Sequence, residues 1–77
     1  MSTQLETTIV EILMKSSSKV ISDKELLKMV RTELGETFTL KDFYKALMKL
    51  EMFDIIQVAS QKDGFSIAIK GGKESGS

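Results

Sequence analysis

The chain has 77 residues, 11 basic and 11 acidic side chains, and neither cysteine nor histidine. This length accommodates one small domain, and the missing residue types exclude disulfide bonds, zinc fingers, cysteine nucleophiles and imidazole catalysis. A net charge of zero argues against binding nucleic acid through bulk charge alone. The sequence contains no apolar run of about 18 residues and no signal-peptide pattern at its start, so we expect a cytoplasmic protein.

Three helices are predicted from repeated start signals. A hydroxyl residue followed three positions later by a carboxylate can satisfy backbone N–H groups at a helix start, and this pattern begins at Thr3, Ser22 and Thr39. An apolar period of 3.6 residues follows each one. The expected helices cover residues 4–15, 23–34 and 40 to 50 or 51. Gly35, directly after the second helix, is expected to be left-handed.

The apolar faces of these helices give a predicted core. Residues expected to point inward are Leu5, Ile9, Ile12, Leu13, Leu26, Leu27, Val30, Leu34, Leu40, Phe43, Ala46, Leu47 and Leu50. Val10 and Met14 lie well off the apolar face of the first helix. They are therefore either covered by a later part of the chain or exposed as a dimer interface.

After the third helix the apolar period changes from 3.6 to 2, which indicates two strands. Apolar residues alternate from Ile56 and again from Phe65 to Ile69. Between them, the pair Asp63-Gly64 favours a two-residue hairpin turn that would pair Val58 with Ile69. A lone hairpin is barely stable, so its apolar face is expected to pack on the helices.

Residues 19–21 can add a short third strand at the edge. The resulting order of elements and their apolar spacing, over about residues 3–70, resemble the winged helix-turn-helix superfamily, to which many archaeal and viral transcription factors belong. The segment from Leu47 to Ile56 resembles the passage from the third helix into the wing. It differs in one respect, because members often have glycine where Phe53 or Asp54 stands here.

The resemblance implies an α+β fold, a three-helix winged helix-turn-helix with a C-terminal β-hairpin as its wing. One domain would cover residues 1–70. The polar, glycine- and serine-rich residues 71–77 are expected to be a disordered tail.

In that superfamily the third helix enters the major groove and the wing contacts the DNA backbone or minor groove. The resemblance therefore implies a duplex DNA-binding transcriptional regulator that uses residues 40–50 and 60–65. Residues 39–50 carry three lysines and one aspartate, so positive charge is concentrated there in a neutral chain. The expected DNA contacts are Thr37, Thr39, Lys41, Tyr44, Lys45, Met48, Lys49, Gln61 and Lys62.

The types of these residues suggest different contacts. The lysines would neutralise phosphates and Gln61 would add a polar contact. Thr37 or Thr39 would bond a phosphate near the helix start, and Tyr44 and Met48 would read bases or shape. The alternative is equally open, because lysines at 41, 45 and 49 also form the solvated edge of any helix. Tyr44 lies beside the apolar arc and is as compatible with the rim of the core.

A second function remains open, namely a protein-interaction module within a larger assembly. Arginine is the residue most used to read guanine, yet Arg31 is the only arginine and lies on the second helix. Neutral charge and exposed Val and Met residues also favour this alternative. Winged-helix regulators commonly dimerise through terminal helices, so the resemblance implies a homodimer through Val10 and Met14.

No catalytic, metal or cofactor motif is found in the sequence, so we expect neither an enzyme nor a metal- or cofactor-binding protein. The chain has no asparagine, no cysteine and a high share of lysine and glutamate. This composition is typical of a thermophile.

Overall fold

A computed structural model describes residues 3–16 and 20–70 of the chain. Its elements are α1 (Thr3–Lys15), β1 (Ile21–Ser22), α2 (Asp23–Leu34), α3 (Leu40–Met52), β2 (Ile56–Gln61) and β3 (Gly64–Ile69). The strands form one antiparallel sheet in the order β1-β3-β2. The α+β fold class, with three helices and a C-terminal hairpin, is confirmed, and the arrangement is compatible with a winged helix. The expected tail and Lys19 lie outside the described residues.

The predicted caps of α2 and α3 are present. The hydroxyl oxygen of Ser22 accepts a hydrogen bond from the backbone N–H of Glu25 at 3.2 Å. Thr39 and Asp42 form a full capping box, in which each side chain accepts from the other residue's backbone N–H at 3.1 Å. These local bonds explain why both starts could be placed from sequence alone.

The core lies where the apolar faces of all three helices meet one face of the sheet. Its buried members are Leu5, Ile9, Leu13, Ile21, Leu26, Val30, Phe43, Ala46, Leu47, Leu50, Ile56 and Ile67. Leu40 does not belong to it, because this first residue of α3 is 48% exposed. The expected burial of Leu40 is therefore wrong. The helical period predicts the direction in which a side chain points, but it does not predict how far the neighbouring elements extend to cover it.

The register of the hairpin differs from the prediction. The turn is Lys62-Asp63, and Gly64 already pairs with Gln61 in the sheet. Val58 therefore lies opposite Ile67, and the expected pairing of Val58 with Ile69 is wrong. The error amounts to two residues, so the same side chains still share one face.

Position 64 requires glycine because the Asp23 side chain lies close to it, not because of the turn. Its φ angle is +146°, and a Cβ atom added there would lie 2.7 Å from Oδ1 of Asp23. Residues other than glycine rarely adopt this backbone, and none has room for its side chain beside that carboxylate. The glycine therefore marks the close approach of α2 to the hairpin.

Two further corners need positive φ angles. Gly35 has φ 70°, as expected, but its ψ of −145° places it outside the left-handed helical region, so that part of the prediction is wrong. Asp54 has φ 66° at the corner between α3 and β2, where superfamily members often have glycine. Aspartate is among the few residues that tolerate this conformation, so the corner is made without glycine.

Candidate nucleic-acid interface

The outward face of α3 changes character along its length. Lys41, Lys45, Met48 and Met52 follow one another at i, i+4, i+7 and i+11, which places them in one narrow stripe. All four are exposed, Met48 to 65% and Met52 to 81%. We call them the α3 stripe. It is cationic in the first half of the helix and apolar in the second.

The lysines of α3 do not form one continuous edge. Nζ of Lys49 lies 3.4 Å from Oε2 of Glu6, so this side chain turns towards α1. The two ion pairs among the described residues use Lys49 and Lys70 and leave Lys41 and Lys45 unpaired. The local charge expected from sequence is therefore carried mainly by these two residues.

Three of the polar residues expected to contact DNA make side-chain hydrogen bonds within the protein. The hydroxyl of Thr37 donates to the carbonyl of Leu34 at 3.1 Å, and that of Thr39 caps α3. The side-chain amide of Gln61 donates to the Ser66 hydroxyl at 3.3 Å. Because the Thr37 hydroxyl has only one proton, it cannot donate to a phosphate while this bond is kept.

Tyr44 is also turned inward, towards a carboxylate that the sequence did not single out. Its hydroxyl donates to Oδ2 of Asp23 at 2.6 Å. Oδ1 of the same carboxylate accepts from the backbone N–H of Lys24 at 2.9 Å and, over a longer distance of 3.4 Å, from that of Phe65. Asp23 is only 4% exposed. It therefore joins the start of α2 to α3 and to the hairpin, and we call these contacts the Asp23 junction.

The electrostatics of the junction favour an ionised aspartate. Burial by itself raises the pKa of Asp23, but the hydrogen bonds from Tyr44, Phe65 and Lys24 outweigh it and lower the pKa below the usual range. The same bond raises the pKa of Tyr44, because the hydroxyl that donates to the carboxylate resists losing its proton. The junction is thus a charged acceptor held by neutral donors.

The start of α3 has a positive environment. The hydrogen bonds from Thr39 lower the pKa of Asp42, and the nearby charges of Lys45 and Lys41 lower it further. Lys62 adds an exposed cation in the hairpin turn, although Asp63 stands directly beside it. Lys41, Lys45 and Lys62 are all exposed, and none of them takes part in an ion pair of the described residues.

An apolar groove separates α3 from the hairpin. It has a volume of about 310 Å³ and is lined by Tyr44, Leu47, Met48, Glu51, Val58 and Phe65. The rings of Tyr44 and Phe65 meet edge to face at one end, with centroids 6.4 Å apart. The alternation of apolar residues predicts that Val58 and Phe65 lie on the packed face of the hairpin, but it does not indicate where the helices stop covering that face.

The two residues of the expected dimer surface on α1 differ in their exposure. Val10 is half-buried and packs against the core cluster, whereas Met14 is 69% exposed. Met14 is therefore the accessible member of the pair.

Within the described residues, no group of three or more acidic, cysteine or histidine side chains is placed to hold a metal ion. Nor does that part of the chain contain a helix long and apolar enough to cross a membrane. Comparisons with known protein families, curated proteins and solved structures found no match.

Proposed function

We propose that the protein is a duplex DNA-binding module of the winged helix-turn-helix type that regulates transcription, with α3 in the major groove and the hairpin against the backbone. The observation that supports this most strongly is the exposure of Lys41, Lys45 and Lys62 on two elements that the Asp23 junction joins. None of the three takes part in an ion pair of the described residues. They are free to neutralise phosphates.

The Asp23 junction explains how helix and hairpin act together. One buried carboxylate accepts hydrogen bonds from the Tyr44 hydroxyl and from the Phe65 N–H, and these bonds hold the hairpin beside the first half of α3. A surface held in this way loses less conformational entropy on binding than two independently moving elements. In this proposal Tyr44 positions the hairpin and does not contact bases.

Specificity in this proposal comes mainly from shape. α3 contains no arginine, which is the usual reader of guanine. Met48 is the exposed residue of the α3 stripe next to the lysines, and its methyl group suits contact with a thymine methyl. The phosphate contacts set the register, and the deformability of the duplex supplies most of the discrimination.

The proposed protein acts as a homodimer in the cytoplasm, where it meets duplex DNA. Met14 of α1 is the accessible apolar residue for such an interface, with Val10 at its edge. A symmetric dimer would place two copies of α3 on two half-sites of the duplex.

Fluorescence anisotropy with a labelled duplex at low salt tests the proposal. Lys45→Ala is expected to weaken binding to all sequences and to reduce the slope of log K against log salt by about 1, because one phosphate contact is lost. Lys28→Ala on α2 is the matched control, since Lys28 is also exposed and unpaired but lies off the α3 stripe. Equal effects of the two variants, or no binding by the unaltered protein, would contradict the proposal.

A protein-interaction module is the second candidate. It is favoured by the apolar second half of the α3 stripe together with the exposed Phe53, which are unusual on a surface that meets only phosphates. Recovery of a stoichiometric protein partner that survives nuclease treatment, with no DNA binding at low salt, would favour this function over the first.

A further inference from the structure

We propose that β2 is the edge through which copies of the protein bound side by side on DNA join one another, by antiparallel pairing of β2 with β2 of a second copy. This inference rests on the proposed function and adds to it a contact between neighbouring molecules. The partner that the edge accepts is therefore this same chain, and the consequence is cooperative binding along a duplex.

The backbone of β2 is paired on one side only. In the sheet order β1-β3-β2, no described strand lies beyond β2. The N–H of Lys70 donates to the carbonyl of Ile55 at 2.9 Å, and these residues stand opposite each other in the register that continues through the hairpin. Bonded and non-bonded pairs alternate in an antiparallel ladder, so the odd-numbered residues of β2 bond to β3. The backbone groups that point to the free edge belong to Ile56, Val58 and Ser60.

This edge lacks the usual protection against pairing. Native proteins commonly guard an edge strand with a lysine, a proline or a bulge. The strand Ile56–Gln61 contains no charged residue and no proline, and it runs opposite β3 without a bulge. Ala59 and Ser60 are exposed. A strand of this kind is suited to hydrogen-bond a further strand.

β2 matches a second copy of itself best in one register. A two-fold axis at Val58 places Ile56 of each copy opposite Ser60 of the other. The three residues whose backbone groups point to the edge then all exchange hydrogen bonds with their counterparts. A shift by two residues in either direction leaves one of them without a partner in the strand, so the register centred on Val58 makes the most bonds.

The side chains are compatible with this register. Val58 meets Val58 of the other copy, and Gln57 comes opposite Ala59, so no like charges oppose each other. Beyond the strand ends, the same count brings Lys62 of one copy opposite Asp54 of the other. Unlike charges at both ends favour the antiparallel arrangement of two copies.

DNA supplies the concentration that the contact needs. Two strands of six residues form a small contact beside the roughly 1,000 Å² that a stable interface buries. Neighbours on one duplex are held at an effective concentration of about millimolar, so the pairing forms there and not in dilute free protein. It uses no residue of the proposed α1 interface, and neighbouring dimers can therefore join into a row.

Binding isotherms on two lengths of duplex test the inference. A short duplex accommodates one dimer, and a long duplex accommodates several. We expect a dimer to bind about a hundredfold more tightly beside an occupied site than alone, which makes the isotherm on the long duplex steeper. This cooperativity is a ratio of two affinities, so a change in the affinity for a single site does not alter it.

Two double variants test the register. Gln57→Glu with Ala59→Glu places like charges opposite each other across the pair and is expected to abolish the cooperativity. Gln57→Glu with Ala59→Lys alters the same exposed positions but places unlike charges opposite each other, so the cooperativity should be kept.

Single cysteines in this cysteine-free chain test the pairing directly. In the proposed register the two Val58 Cα atoms lie about 5.5 Å apart, whereas the two Ser60 residues lie about 13 Å apart along the strands. A short bis-maleimide is therefore expected to cross-link Val58→Cys on the long duplex and not Ser60→Cys. Cross-linking should be much weaker without DNA.

The outcomes separate this inference from the proposed function. Binding to the short duplex without cooperativity on the long one overturns the pairing and leaves the proposed function standing, whereas no binding to either duplex overturns both. Equal cooperativity of the two double variants overturns the pairing as well. So does the absence of a Val58→Cys cross-link, since the edge would then be covered by something other than a second copy.

Discussion

The carboxylate of Asp23 is the point at which α2, α3 and the hairpin meet. It accepts hydrogen bonds from Tyr44, Lys24 and Phe65, and it occupies the space in which any side chain at position 64 would lie. A buried carboxylate is costly unless donors surround it, and here three donors do so. This one carboxylate therefore links three elements, in addition to the core packing of Ile56 and Ile67 of the hairpin.

Tyr44→Phe measures the strength of this junction. The variant removes the 2.6 Å hydrogen bond but keeps the ring, so we expect it to lower the free energy of unfolding by about 1–2 kcal/mol. Urea denaturation provides the measurement. Thr37→Val, which removes an exposed hydrogen bond to Leu34, is the control and should cost less. A Tyr44→Phe variant as stable as the unaltered protein would show that the bond is not made in solution.

The Asp23 junction predicts that the free energy of unfolding falls at low pH and also at high pH. The lowered pKa of Asp23 means that its stabilisation is complete above the ordinary value of 3.8 and is lost as pH falls through the folded pKa. The raised pKa of Tyr44 means that its stabilisation is complete below 10.0 and is lost as pH rises through the folded pKa. Tyr44→Phe should abolish the alkaline loss and reduce the acid one, as followed by denaturation across pH.

Gly64→Ala tests the close approach of Asp23. Both Gly64 and Gly35 have positive φ angles, but only at Gly64 would a Cβ atom meet a neighbour. We expect Gly35→Ala to cost about 1 kcal/mol from backbone strain and Gly64→Ala to cost about 2–3 kcal/mol. In an Asp23→Ala background the clash disappears, so the two glycine substitutions should then cost about the same. Equal costs in the unaltered background would contradict the predicted clash.

At the level of elements, the helices were predictable because their signals are local. Ser22 and Thr39 form their caps within three residues, and the apolar period sets which face is buried. The change from a period of 3.6 to 2 likewise located the hairpin. These features need no knowledge of the rest of the fold.

The hairpin register and the Asp23 junction were not predictable in this way. The pair Asp63-Gly64 matches a favoured turn, but in the structure Gly64 pairs with Gln61 in the sheet and lies against Asp23, 41 positions earlier. Tyr44 turns inward towards the same carboxylate. Nothing in the local sequence distinguishes Asp23 from an ordinary helix-start residue, so the inward contact of Tyr44 and the exact extent of the groove required the structure.

The proposed dimer interface lies on α1. We expect light scattering to show a dimer at high protein concentration and Met14→Lys to convert it to a monomer, because a charge would replace the exposed apolar side chain. Met52→Lys, which alters an exposed methionine on α3, is the control and should remain dimeric. A monomer at millimolar concentration, or loss of the dimer in both variants, would exclude an interface at Met14.

Considered as a whole, the molecule is neutral with an uneven distribution of charge. α3 takes three of the 11 basic residues, one of which is paired to Glu6, and its outward stripe ends in two methionines. The exposed face of α3 thus combines cations with apolar side chains, and an apolar groove lies between this helix and the hairpin.

The decisive measurement is an NMR titration of the isotope-labelled protein with duplex DNA at low salt. The DNA-binding account predicts amide shifts along α3 and at residues 61–64, reversed as salt is raised because the contacts are mainly to phosphates. Lys28 and its neighbours on α2 should not shift. Absence of shifts on α3 and the hairpin turn at millimolar DNA would contradict the account.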